Sequence, residues 1–196
     1  MTLCTCRKPH LAEKIVMHGG LAGCGKTLFS PIISALDRVE LPTYSYEIEH
    51  YCSLYFLQKL SLQSASTLIR MQTDLKLYNT MMGREVNFRP TDLSSVQMFH
   101  SPTQYFERLF QPGDETIPDV INKKNPILNL IIHNVLFISD PVWKALGDRC
   151  IFIEVVRHPL YMVRQLTLNM QRLINDVRDF SINYERGEKS YPYWAE

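Results

Sequence analysis

The chain has 196 residues, 45% hydrophobic and 21% charged, which suits one soluble globular domain with a sizeable core and excludes a disordered chain. Lys and Arg number 21 against 20 Asp and Glu, and the net charge of +1 gives no reason to expect nucleic acid or an anionic membrane as a partner. No segment approaches the roughly eighteen apolar residues of a membrane span, and the five scattered cysteines carry no disulfide-scaffold spacing, so a cytoplasmic location is expected.

Residues 1–13 carry no periodic pattern and are expected to be flexible. Cys4, Cys6 and His10 lack a fourth ligand at finger-like spacing, and no metal site is read from them. The run Ile15 to Met17 then reads as a strand that stops at Gly19 and Gly20, and Thr27 to Leu36 reads as a helix. Between them lies Gly20-Leu-Ala-Gly23-Cys24-Gly25-Lys26-Thr27. Glycines at these positions let the backbone adopt positive φ and turn N–H groups toward one point, where the helix N-terminus adds positive potential. An anion of phosphate size is the expected occupant. Lys26 can reach its outer oxygens as a point charge, and the Thr27 hydroxyl can meet an oxygen or a metal.

Farther along, Tyr44, Tyr46 and Ile48 alternate with polar residues as in a second strand, with a helix from Glu47 as the alternative. Leu54, Leu57, Leu60, Leu68, Met71 and Leu75 recur at helical intervals. Residues 51–121 are therefore expected to form a helical and loop insert that covers the sheet and shapes a substrate cleft. Prolines at 90, 102, 112 and 118 break its second half, with a short helix through Tyr105 to Phe110.

Strand signals return in Asn125 to Ile138, an apolar run about His133, and in Arg149 to Pro159, whose Ile, Phe and Val residues suit a buried parallel strand. Glu154 falls inside that second run, followed by Val155 and Val156. Between the two runs, Asp140 or Pro141 opens a short helix that ends near Gly147. Val163, Leu166, Met170, Leu173, Ile174 and Val177 mark one face of a last helix, and 183–196 reads as a polar tail. Alternating strands and helices predict an α/β domain with a central parallel sheet between two helical layers. Ligands in such sheets sit at the carboxyl ends of the strands, where His18, His133, Arg157 and His158 are candidates to line one crevice. Arg157 precedes Pro159, which forbids further ladder pairing, so its fork is delivered to the edge that binds ligands.

Together "GLAGCGKTLFSPIIS" and "IFIEVVRHPLYMVRQ" resemble the two donor-binding elements of the sulfotransferase family. The resemblance implies a P-loop-type three-layer α/β/α fold over residues 1–196 and 3′-phosphoadenosine 5′-phosphosulfate as the sulfuryl donor. It also implies a small-molecule or glycan acceptor carrying a hydroxyl or amine. Gly20, Gly23, Cys24, Gly25, Lys26, Thr27 and Leu28 would surround the 5′-phosphosulfate, and Arg157 would meet the 3′-phosphate. Gln165, with Arg164 beside it, stands where the family usually has a serine, and either side chain can donate to phosphate. Lys26 sits where an ATP-binding loop has its lysine, and the family's glycine- and basic-rich C-terminal element is not evident. By the same resemblance His133 stands near the base of the branches acting on small molecules, and Glu47 or Glu49 near the base of glycan-directed ones. Two other functions fit the loop: an Mg-ATP-dependent kinase of a small molecule or nucleoside, with Arg157, Arg164 and Arg172 as clamps, and a non-catalytic nucleotide-binding module.

Overall fold

The computed structural model describes residues 9–173, 180–186 and 189–195. In chain order the elements are β1 (Ile15–Gly19), α1 (Lys26–Ser34), β2 (Thr43–Tyr44), α2 (Tyr46–Phe56), α3 (Leu62–Met81), α4 (Thr103–Arg108), α5 (Ile117–Lys124), β3 (Leu128–Ile131), α6 (Asp140–Leu146), β4 (Cys150–Glu154) and α7 (Pro159–Leu173). A hairpin of β5 (Phe180–Arg186) and β6 (Lys189–Ala195) follows, so the segment expected to be a polar tail carries antiparallel strands.

β1 to β4 form an all-parallel sheet in the order β2-β3-β1-β4, with Ile15 opposite Leu128 on one side and Cys150 on the other. The α/β class with a parallel sheet between helices is therefore observed. Side chains alternate across the sheet. Ile15 and Met17 join Leu128 and Leu130 in the main core, under Ile48 and Cys52 of α2, Ile69 and Leu77 of α3, Ile121 of α5 and Val142 of α6. Val16 faces the other way, onto Ile33 of α1, with Val39 and Ile153 nearby. One face thus carries several helices; the other carries α1.

Several sequence expectations change. The second strand is two residues long, because Ser45 N–H makes the last bond to Ile131 O and the helical alternative takes over at Tyr46. In α3 the buried face is Ala65, Ile69, Thr73, Leu77 and Met81, an unbroken i,i+4 series, while Met71 and Leu75, two of the apolar residues whose spacing marked the helix, are exposed. Alanine and threonine hid that face from a reading keyed to large apolar residues. The strand expected from Arg149 to Pro159 pairs only through Glu154. It forms an edge of the four-stranded sheet, with Ile151 half exposed and Val156 81% exposed, rather than a buried strand.

The last helix buries Met162, not the predicted Val163, and Ile174 and Val177 lie outside the described residues. Residues 10–12 are anchored rather than loose. Asp74 accepts the backbone N–H groups of Leu11 and Ala12 at 3.1 and 3.0 Å and lies 3.4 Å from His10 Nδ1, while Ala12 is fully buried. Cys4 and Cys6 lie outside the described residues; Cys24, Cys52 and Cys150 are free thiols. No helix among the described residues is long and apolar enough to cross a membrane.

A second, smaller core of Leu41, Val96, Phe99 and Tyr105 organises the proline-broken insert. Beneath it is a buried ion pair. Arg108 Nη1 and Nη2 each donate to Glu40 at 2.8 Å, the Tyr105 hydroxyl donates to the same carboxylate at 2.8 Å, and Leu41 N–H donates to that hydroxyl at 2.9 Å. This network ties α4 to the chain entering β2, so insert and sheet are held by polar bonds as well as packing.

Candidate functional site

The first connection of β1 leads through α1 toward β2, whereas β3 leads through α6 across to β4. The loops after β1 and β3 therefore part in opposite directions and leave a crevice at the carboxyl end of the sheet. On its floor is the glycine loop. Gly20, Gly23 and Gly25 have φ of +138°, +82° and +113°, the conformations for which glycine was expected. A Cβ on Gly20 would come within 2.5 Å of Val155 O, and one on Gly23 within 2.2 Å of the Gln165 side chain. At Gly25, which caps α1, a Cβ would meet open space. α1 starts directly at the loop, with the N–H groups of Leu28 and Phe29 turned back to Gly25 O at 3.0 and 3.2 Å.

Lys26 is buried and folds back on this loop, donating from Nζ to the carbonyls of Gly20 and, at 3.1 Å, of Leu21. Thr27 is half-buried, and Leu28 is 75% exposed.

Arg157 comes to the same loop from β4. Its Nη1 lies 3.4 Å from Gly23 O and its guanidinium 5.6 Å from the Tyr161 ring centre. Gln165, two turns into α7, packs on Gly23 and bonds to Asn169 at 3.1 Å. Arg164 is exposed. The two sequence motifs, separated by some 130 residues, thus meet at Gly23, and Val155 N–H adds a bond of 2.9 Å to Gly19 O.

Above β3 the two classes of base candidate converge. Glu49, in the first turn of α2, accepts the His133 backbone N–H at 2.9 Å and lies 3.1 Å from His133 Nδ1, with both side chains about one-tenth exposed. Against a carboxylate Nδ1 is the protonated nitrogen, which leaves the lone pair on Nε2. Ile132 N–H bonds to His18 O at 3.0 Å, so this dyad leaves the sheet beside β1 and its loop. Glu47 turns elsewhere: with Glu85 it flanks the buried Lys76 at 3.4 and 3.6 Å. His18 does not line the crevice, being fully buried under α1 with its ring 6.5 Å from that of Phe29. Burial lowers its imidazole to about 4; Asn129 beside it opposes this, without reaching hydrogen-bond geometry. His158 is exposed and packs its ring near Tyr161.

Some parts of the site were not anticipated. The rings of Tyr44, Tyr46 and His133 are mutually parallel within 14°, with centres 5.8 to 6.3 Å apart. Three parallel rings at nearly equal spacing cannot form one straight column, so the stack is offset. The alternation of Tyr44 and Tyr46 is the available signal in the sequence, though it suggests a strand where α2 begins at Tyr46. A cavity of about 420 Å³ lies beside the loop, between Leu21 and Cys24, the turn at Asn134 and Phe137, and Glu154 to Arg157. Glu154, a strand-interior residue by sequence, is the last residue of β4 and opens onto this cavity.

The geometry can hold an anion at a glycine loop, offer a guanidinium beside it, and place a carboxylate-held imidazole across the crevice. Comparison of the chain with protein-family models, with curated proteins and with solved structures gives no match.

Proposed function

We propose that the protein is a sulfotransferase that moves a sulfuryl group from 3′-phosphoadenosine 5′-phosphosulfate to a hydroxyl of a small molecule or glycan. The observation that carries this reading is the Glu49–His133 dyad beside the glycine loop. Transfer of this kind demands positioning, charge stabilisation and one base for the acceptor proton. His133 Nε2 takes that proton, while Glu49 fixes the ring and stabilises the imidazolium that forms.

The residues present suit the donor. The glycines leave space at Gly25 where a side chain would intrude, the helix N-terminus favours a negative group, and Arg157 stands at Gly23 with a fork suited to a phosphate oxygen pair. Lys26, Thr27 and the loop N–H groups would hold the 5′ end, Arg157 the 3′-phosphate, and Gln165 or Arg164 would donate beside it. The donor supplies the sulfuryl group. Lys26 supplies positive charge where negative charge develops on the departing oxygen.

The position of Lys26 also suits an Mg-ATP kinase, and one measurement separates the two. In a thermal-shift assay without Mg²⁺, 3′,5′-adenosine bisphosphate raises the melting temperature, and Arg157→Ala removes the rise. Stabilisation by Mg-ATP alone rejects sulfotransfer in favour of the kinase. If both nucleotides bind but Glu49→Gln and His133→Ala leave every transfer activity intact, the chain is a binding module with no use for the dyad.

A further inference from the structure

Glu154 ends β4 opposite Gly19, on the strand that feeds the glycine loop. Its Oε2 is shielded from solvent and has no hydrogen-bond partner among the described residues. It hangs directly over Gly19, where a Cβ would come within 2.2 Å of it. The side chain lines the cavity that Leu21 and Cys24 of the loop also line. An unpartnered carboxylate oxygen is costly to hold ionised in such a place. It is also a poor neighbour for an anion, since like charges within a few ångströms disfavour each other's ionisation.

The groups that face Glu154 can be named element by element. Lys26 on α1 acts on it electrostatically and favours the carboxylate, but directs its ammonium to the Gly20 and Leu21 carbonyls. Cys24 of the loop and Arg157 beyond β4 line the same cavity, while the Asn134 turn and Met162 of α7 add no titratable group to its lining. On β1, His18 precedes Gly19 and points to the opposite face of the sheet, against Phe29 of α1. Burial is the larger influence on Glu154 and pushes its carboxyl up; Lys26 works against this.

We propose that Glu154 makes anion binding in the glycine loop proton-linked: the anion enters together with one proton, which resides on the Glu154 carboxyl. Neutral, the carboxyl donates a hydrogen bond into the cavity; ionised, it repels the incoming phosphate or sulfate group. The proton comes from solvent and returns there on release. Glu154 thereby acts as a specificity residue for the charge and protonation state of what the loop accepts. The inference rests on the loop being an anion site, and would hold for a phosphosulfate or an ATP donor alike.

The test is calorimetric titration of the full chain with 3′,5′-adenosine bisphosphate between pH 6 and 8, in pairs of buffers that differ in ionisation enthalpy. Wild type is expected to take up close to one proton more per bound nucleotide at pH 7 than Glu154→Gln. Its affinity falls up to tenfold per pH unit where the variant's stays flatter, so that at pH 8 the variant binds at least tenfold tighter. Protonation of the nucleotide itself appears in both proteins and cancels. At pH 8 its phosphates are fully ionised, so net uptake by wild type alone carries the test if the variant fails to fold. Binding with equal proton uptake in both proteins overturns the role of Glu154 and leaves the anion site standing. So does wild-type binding that strengthens with Mg²⁺ through Glu154, since the carboxylate then holds a cation rather than a proton. Absence of any binding by wild type rejects the anion site and this inference with it.

Discussion

Replacing Arg108 with methionine keeps most of the side-chain volume and removes the charge from a pair whose side chains are only 5% and 8% exposed. Glu40 then loses two hydrogen bonds of 2.8 Å and retains the one from the Tyr105 hydroxyl. The desolvation of a carboxylate remains while its compensation is gone, and breaking a buried pair in this way costs about 3–5 kcal/mol. The stacking of the Arg108 guanidinium 4.4 Å from the Tyr105 ring centre is lost as well. Against a total stability of roughly 5–15 kcal/mol this is a large fraction. For a domain of this size it lowers the melting temperature by roughly 6–20 °C. The paired change Glu40→Met with Arg108→Met removes both charges and is expected to regain most of the loss, because replacing a whole buried pair with apolar groups of similar volume is often close to neutral. Differential scanning calorimetry on the two single variants and the double variant closes the cycle. A fall of less than about 2 °C for Arg108→Met, or a double variant no more stable than the singles, refutes the account of this pair as a desolvated network.

Two other outcomes follow from the site and its surroundings. Glu49→Gln keeps a hydrogen-bond acceptor near His133 but removes the charge that fixes Nδ1–H; turnover is expected to fall by about 10²–10⁴-fold with 3′,5′-adenosine bisphosphate affinity within a factor of about 2 of wild type, and an equal fall in both would mean that Glu49 shapes the fold instead. For His18, burial lowers the folded imidazole to about 4 from its ordinary value of 6.5, so the unfolded chain takes up a proton that the native state refuses. Its contribution is complete above pH 6.5 and is lost as the pH falls toward 4, in total about 3 kcal/mol. Urea unfolding at pH 7 and pH 5 should show a smaller loss for His18→Leu than for wild type, and the same loss in both would locate the acid sensitivity elsewhere.

The parts of this fold that sequence revealed are those whose determinants are local. Glycine spacing between an apolar run and a helix located the loop because positive φ at Gly20, Gly23 and Gly25 is a property of those residues themselves. Pro141 and Gly147 bounded α6 for the same reason. The end of β4 was misjudged because Val155 and Val156 continue the apolar composition, while the ladder stops where β1 turns into its loop at Gly19. His133 and Glu49 were separate, competing candidates; 84 residues apart, they become partners only because the Ser45 bond to Ile131 sets the first turn of α2 over the end of β3. Gln165 against Gly23 and Glu154 over Gly19 are likewise contacts of tertiary origin, and no spacing announces them.

The order of strands also governs when the site can come into being. β1 is made well before its two neighbours in the sheet, which lie roughly 110 and 135 positions later in the chain. At about 5–20 residues per second, Ile15 to Gly19 waits on the order of 5 to 30 seconds before either neighbour is made. Closing loops of that length precedes any reward from pairing, so folding of the sheet is expected to be late and cooperative rather than progressive. Until β3 and β4 are made, the nascent chain therefore carries an unsheltered apolar strand. A chaperone that binds short extended apolar segments would find a target there, immediately ahead of the glycine loop.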